Sequence, residues 1–140
     1  MSAHNDDCLF CRLIRGEIPS AVVYENEQVY AFLDINPVSR GHVLIVPRDH
    51  AETLFDMFPG ADAALLDAMR KVGRAVMLAT GAEGLNVVQN NYKAAGQEVP
   101  HVHWHLIPRH AGDGHSPWPH GNYADTEEMG AVAAAIKSAL

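Results

Sequence analysis

Long hydrophobic runs are missing from this 140-residue chain. Its apolar residues, 48% of the total, come in short stretches, and none approaches the roughly 20 residues that a membrane-spanning helix needs. The first residues, Met1 to Asp7, are polar and acidic, so no secretory signal is read and a cytoplasmic location is expected. Positive charge is scarce as well: 10 Lys and Arg stand against 17 Asp and Glu, a net charge of −7. That balance argues against broad contact with nucleic acid or anionic membranes. It leaves room for a small phosphate ligand, because backbone N–H groups and protonated imidazoles make local positive sites. Cysteine is limited to Cys8 and Cys11. Internal repeats and low-complexity linkers are lacking too, so residues 1–140 are read as a single domain, long enough to bury roughly 70% of its unfolded surface.

Histidine, by contrast, is in surplus. There are nine, and six of them lie between His101 and His120. The run His101-Val102-His103-Trp104-His105 continues through Leu106 and Ile107. Its Val, Trp, Leu and Ile residues favour a β-strand, whose successive side chains point to opposite faces. The three imidazoles are thereby expected on one face, roughly 6.5–7 Å apart at a rise of ~3.3 Å per residue. Val102, Trp104 and Leu106 are expected in a core. Strict alternation of three histidines is unlike a merely solvated strand. Imidazole attacks phosphorus to give a covalent intermediate that water later hydrolyses, and neighbouring imidazoles orient it, donate to phosphate oxygens or protonate the leaving group. A reference pKa of ~6.5 suits that work near neutral pH.

Around this run the chain reads as α+β. Cys8 to Pro19 is an ordered apolar start. Strands are expected at Ala21–Glu25, Val29–Asp34, His42–Pro47 and Leu85–Asn90. A helix is expected from Ala61 to Thr80, where apolar residues recur at helical spacing and Gly81 follows. Gly112 to Asn122 reads as a loop, and Glu127 to Leu140 as a short helix, acidic at its start with Lys137 near its end. Strands joined by short turns, with the helices late, imply an antiparallel sheet covered on one face and the histidines on the other.

His101-Val102-His103-Trp104-His105-Leu106-Ile107-Pro108-Arg109 resembles the signature of the histidine-triad (HIT) family of nucleotide hydrolases and transferases. The likeness extends to Cys8-Leu9-Phe10-Cys11, Gly16-Glu17-Ile18-Pro19, Ala31 through Pro37, Gly41 through His50 and Ala95-Gly96-Gln97, all in family order. It covers about residues 8 to 110 and is most similar to the bacterial Hint-like branch that carries a Cys-x-x-Cys pair. The resemblance implies that His103 attacks the α-phosphate of a purine nucleotide conjugate, a phosphoramidate or a dinucleoside polyphosphate, and that AMP is released. It implies that His105 holds phosphate oxygens and the leaving group, that His101 positions His103 through its backbone carbonyl, and that His42 completes the cluster. Asp34 matches the residue that binds ribose hydroxyls. Phe10, Leu13, Ile14, Phe32 and Ile35 match an apolar slot for the base. Asn90 and Gln97 match polar groups that contact phosphate or ribose. Members of this branch are typically homodimers, and the C-terminal segment, here with His110, His115, Trp118 and His120, often reaches an active site. One residue departs from the pattern. Glu98 stands where family members often carry the Ser or Thr that helps the leaving group; a carboxylate with a raised pKa still donates a proton, but otherwise it repels phosphate, which counts against phosphoramidase chemistry.

A single Cys-x-x-Cys leaves a redox pair, two buried thiols and a metal site open. No thioredoxin-like context surrounds it, and a cytoplasmic setting disfavours a lasting disulfide. Two thiolates and two imidazoles suit zinc, and the resemblance supplies His50 and His101 beside Cys8 and Cys11. A closed four-ligand zinc is expected to pin the N-terminus to the catalytic strand, with no catalytic cofactor. Three alternatives stand beside the hydrolase: nucleotidyl transfer or phosphorolysis through the same intermediate, a nucleotide-binding regulatory adaptor, and a catalytic zinc held by the triad itself.

Overall fold

In a computed structural model, which describes residues 5–115 and 118–140, eight main elements follow one another. They are α1 (Leu9–Ile14), β1 (Val22–Glu25), β2 (Val29–Leu33), β3 (Val43–Pro47), α2 (Asp62–Thr80), β4 (Gly84–Gln89), β5 (Trp104–Arg109) and α3 (Thr126–Ala139). Residues 116 and 117 of the expected loop, and residues 1–4 of the acidic start, lie outside the described residues. The strands form one antiparallel sheet in the order β1-β2-β3-β5-β4. This is the expected α+β architecture.

Strand alternation divides the sheet into two faces. On one, Val29, Ala31, Val43, Ile45 and Leu106 meet Leu65, Ala68, Val72 and Val76 of α2. Those four helix positions recur at steps of three and four, the spacing that keeps a helix face on a sheet. Gly73 lets α2 sit close, since a Cβ there would lie 2.8 Å from Leu85 Cδ2. Gly81 ends the helix in the left-handed conformation at φ 70°, its N–H bonded to the Met77 carbonyl, as C-terminal glycines do. On the other face, Tyr30, Phe32, Leu44 and Val46 pack against Cys8, Phe10, Cys11 and Leu13 of the N-terminal segment. β3 is buried along its whole length, because both of its faces are covered. α1 has only six residues, far short of what holds a helix alone, so it covers this second face only in part. A cleft remains beside it.

The histidine run differs from the expected strand in one respect. The ladder begins at Trp104, opposite Ile45 of β3 and Gln89 of β4. His101, Val102 and His103 precede it, because β4 ends at Gln89 and supplies no further partner. Their backbone is tied elsewhere: the Val102 N–H donates to Ala51 O at 2.8 Å, and the His101 N–H to Val99 O at 2.9 Å. Trp104 and Leu106 do face the α2 core, and Val102 is fully buried.

Candidate active site and metal centre

His42, His103 and His105 each have a partnered ring nitrogen near the sheet end, and the partners assign the protons. A carbonyl oxygen only accepts. His103 Nδ1 lies 2.7 Å from His101 O, so Nδ1 carries the hydrogen and Nε2 keeps its lone pair. The Val38 N–H donates to His42 Nδ1 at 3.0 Å, so the His42 hydrogen sits on Nε2. That hydrogen points to His105 Nδ1, also at 3.0 Å, which leaves His105 with its hydrogen on Nε2. The pair of rings His103 and His105, 4.9 Å apart between centroids, thus offers one lone pair and one N–H donor. Asp34 Oδ2 is 3.6 Å from His42 Nε2, and its Oδ1 accepts the Asn36 N–H at 2.8 Å. Burial lowers the pKa of His42, His103 and His105, the last to about 4 with His103 and His42 adding to the effect. At neutral pH these rings are uncharged.

His101 belongs to a second cluster. Its Nε2 donates to Pro47 O at 2.9 Å, which turns an unprotonated Nδ1 towards Cys8 Sγ at 3.3 Å, Cys11 Sγ at 3.6 Å and His50 Nδ1 at 3.3 Å. Cys11 Sγ lies 3.5 Å from His50 Nδ1. Zn–N bonds of about 2.0–2.1 Å and Zn–S bonds of about 2.3 Å at tetrahedral angles give N···N edges of about 3.3 Å and N···S edges of about 3.5–3.6 Å. The donor separations fit that tetrahedron. The pocket is hostile to bare thiolates, since burial pushes the Cys11 thiol up to about 11, and a coordinated cation reverses that cost. The Pro47 carbonyl is the outer partner that fixes a ligating imidazole's tautomer. Cys8, Cys11, His50 and His101 therefore form a Cys2His2 cluster suited to a structural zinc. Asp34, His42 and His105 also converge, but the His42 Nε2 hydrogen occupies the space a metal would need. The three motif histidines do not point at one centre, so the reading of a zinc held by the triad has no geometric support.

The cleft beside α1 holds about 910 Å³, and His103 lies in its wall. Phe10, Leu13, Phe32 and Leu44 form its apolar side, and the more exposed Asp34, Asn36, Gly96, Glu98 and Val99 lie on its rim. The Phe10 ring stands edge-on to both Phe32 and His103, at 5.4 and 5.1 Å. Volume and lining suit a mononucleotide.

A family model described as HIT domain matches residues 15–112. The chain belongs to the HIT family. An uncharacterised HIT-like protein of Methanocaldococcus jannaschii is 51% identical over 109 residues, 76% of this chain and 82% of its own length. An adenosine 5′-monophosphoramidase of Schizosaccharomyces pombe is 40% identical over 102 residues, 73% of this chain and 74% of its own. A crystal structure from Streptococcus mutans superposes with a TM-score of 0.91 at 40% identity, covering 99% of this chain and 88% of that one.

Within this HIT chain most expected site residues gather at the cleft or the metal cluster, and a few stand apart. Ile35 lines the cleft only as a lip, 90% exposed. Ile14 packs at the edge of the α1 core and is not part of the cleft wall. Asn90 lies near Gly96 and is not part of the cleft lining. Gln97 is 8% exposed, and its amide is committed to backbone: Oε1 accepts the Tyr92 N–H at 2.7 Å, and Nε2 donates to Glu52 O and Val99 O at 2.6 and 3.1 Å. It brackets Tyr92, which has φ 70° and ψ 159°, a region almost reserved for glycine. Gln97 holds the rim in shape. Sequence reasoning missed the groups that fix the tautomers, the Val38 N–H and the Pro47 carbonyl, because backbone atoms leave no residue-type signal. It also missed Leu44 and Val99, ordinary apolar residues until the fold sets them in the cleft.

Proposed function

We propose that this chain is a nucleotide hydrolase that cleaves an adenosine phosphoramidate at the α-phosphate through a nucleotidyl-His103 intermediate and releases AMP. The observation that carries it is the His103 Nε2 lone pair beside a nucleotide-sized apolar cleft. His103 Nε2 bonds to phosphorus as the bond from phosphorus to the leaving nitrogen breaks, its electron pair staying on that nitrogen. Over the cycle one water is consumed, its hydroxyl ending on phosphorus and its proton on the amine. The ring keeps its Nδ1 hydrogen on His101 O, so the intermediate is an imidazolium, a good leaving group for the second step. The His105 Nε2–H holds a phosphoryl oxygen, and His42 keeps that hydrogen in place. Asp34 accepts the ribose hydroxyls. The activity of the Schizosaccharomyces relative supports an amide as the scissile bond. Dinucleoside polyphosphates, nucleotidyl transfer and a regulatory adaptor remain the alternatives.

Cys8, Cys11, His50 and His101 would hold a structural zinc, which would tie the N-terminal segment to the residues just before β5. We assign the chain to the bacterial Hint-like branch on its Cys-x-x-Cys pair. We also read it as one domain, with a core over about residues 8–110 and an appended segment over 111–140. All of residues 118–140 are exposed, and α3 presents Met129, Val132 and Ile136 along one side. Such a helix is marginal by itself, which supports a homodimer in which a second copy covers it. No helix among the described residues is long and apolar enough to cross a membrane, which accords with a cytoplasmic enzyme, and the net charge of −7 speaks against a nucleic-acid partner. The test is AMP release from adenosine 5′-phosphoramidate by the wild type and by His103→Ala. Release by the wild type alone is expected. Equal release by both overturns the assignment, and nucleotide binding without any turnover favours the adaptor.

A further inference from the structure

Glu98 is where this chain departs from the common family pattern, and the cleft gives the departure a consequence. Its exposed side chain lines the same cleft as His103, and Asp34 is a second carboxylate in that lining. Among the described residues no lysine or arginine lines the cleft. The imidazoles do not restore the balance: His42 Nδ1 accepts the Val38 N–H and His105 Nδ1 accepts the His42 N–H, so neither ring holds a second proton. Neutral N–H donors therefore receive the phosphoryl group in a cleft whose lining carries two carboxylates and no cationic side chain. With the base against Phe10, Leu13, Phe32 and Leu44 and the ribose on Asp34, the cleft lining that remains for a leaving group beside His103 includes Gly96, Glu98 and Val99. An anionic leaving group meets the Glu98 carboxylate there with no counter-ion. A leaving amine that bears an extra ammonium group finds a partner.

We propose that Glu98 is a specificity-determining residue that selects phosphoramidates whose leaving amine carries a further positive charge and discriminates against anionic leaving groups. This rests on the hydrolase reading and narrows its substrate class. Reversing the sign of the charge that faces a carboxylate in a solvent-open cleft alters a specificity ratio about tenfold at low ionic strength.

The test uses three adenosine 5′-phosphoramidates of matched length, made from 1-aminopropane, 1,2-diaminoethane and glycine, so that the leaving group ends in methyl, ammonium or carboxylate. For each, kcat/KM is measured from AMP release with the full chain and with Glu98→Gln and Glu98→Lys. Comparing variant with wild type cancels the intrinsic reactivity of each substrate. The ammonium-to-carboxylate ratio is expected to fall about tenfold in Glu98→Gln and about a hundredfold in Glu98→Lys, both effects shrinking as salt rises. A uniform change across the three substrates, or none in either variant, overturns the role of Glu98 and leaves the hydrolase standing. No AMP from any of the three with the wild type overturns both.

Discussion

Two histidine clusters sit within a few residues of each other here and are built for opposite purposes. Around His101 the rings are turned inward, towards two thiols, and the cluster is closed by Phe10, β3 and the N-terminal segment. Around His103 one ring edge meets a backbone carbonyl and the other is left for the cleft, while the neighbouring His105 is oriented by His42. The residue type is the same. What differs is which nitrogen meets a backbone carbonyl: Nε2 in His101, Nδ1 in His103. That choice leaves Nδ1 for a metal in the first and Nε2 for a nucleophilic attack in the second. His101 joins the two, because its ring serves the metal while its carbonyl orients the nucleophile.

Single substitutions separate the clusters most sharply. His103→Ala is expected to lower turnover at least about a thousandfold, with metal content and nucleotide binding kept; loss of the bound metal in that variant would merge the two clusters. Cys8→Ala is expected to do the converse. At free zinc about a thousandfold above its Kd, losing the site removes about 4 kcal/mol of stability, readable as a denaturant midpoint that no longer responds to zinc. A Cys8→Ala protein with unchanged midpoint and metal content contradicts the Cys2His2 assignment.

Acid sharpens the contrast further. The folded His105 titrates at about 4 and His42 is lowered too, against about 6.5 for an unfolded histidine. The unfolded chain thus takes up protons first as pH falls. The contribution of these rings is whole above pH 6.5 and is lost between there and about pH 4. His105→Gln is expected to flatten the pH dependence of unfolding free energy across that window, and an unaltered slope would mean that the ring is not held neutral by burial. At the rim, Gln97→Ala strips the Tyr92 N–H of its acceptor and should cost about 1–3 kcal/mol, with KM rising because the cleft wall relaxes; a KM effect without loss of stability would make Gln97 a ligand contact instead. Smallest of all, Ile35→Ala at the exposed lip should change KM by less than about threefold, roughly the worth of a fraction of a buried methylene group, while Phe10→Ala costs far more.

Much of this was legible beforehand, and the exceptions have physical causes. Alternation in Val29–Phe32 and Val43–Val46 fixes the two sheet faces, and the apolar spacing of α2 fixes what covers one of them. The Cys8/Cys11 spacing leaves a metal site as one of three readings, and His50 and His101 come from family resemblance, since residues 39 to 93 positions away leave no local pattern. The histidine run was read as strand throughout because periodicity does not show where a neighbouring strand ends, and β4 ends at Gln89. Gln97 was read as a ligand contact because its amide is polar either way. Only the fold reveals that Tyr92, Glu52 and Val99 have already used it.

The most direct measurement is intact-protein mass spectrometry of acid-quenched wild type and His103→Ala during turnover of an adenosine phosphoramidate, paired with zinc content per chain. The account predicts a nucleotidyl adduct that maps to His103, absent from the variant, with zinc the same in both. Rapid turnover with no adduct on His103, or an adduct that persists in His103→Ala, would contradict it.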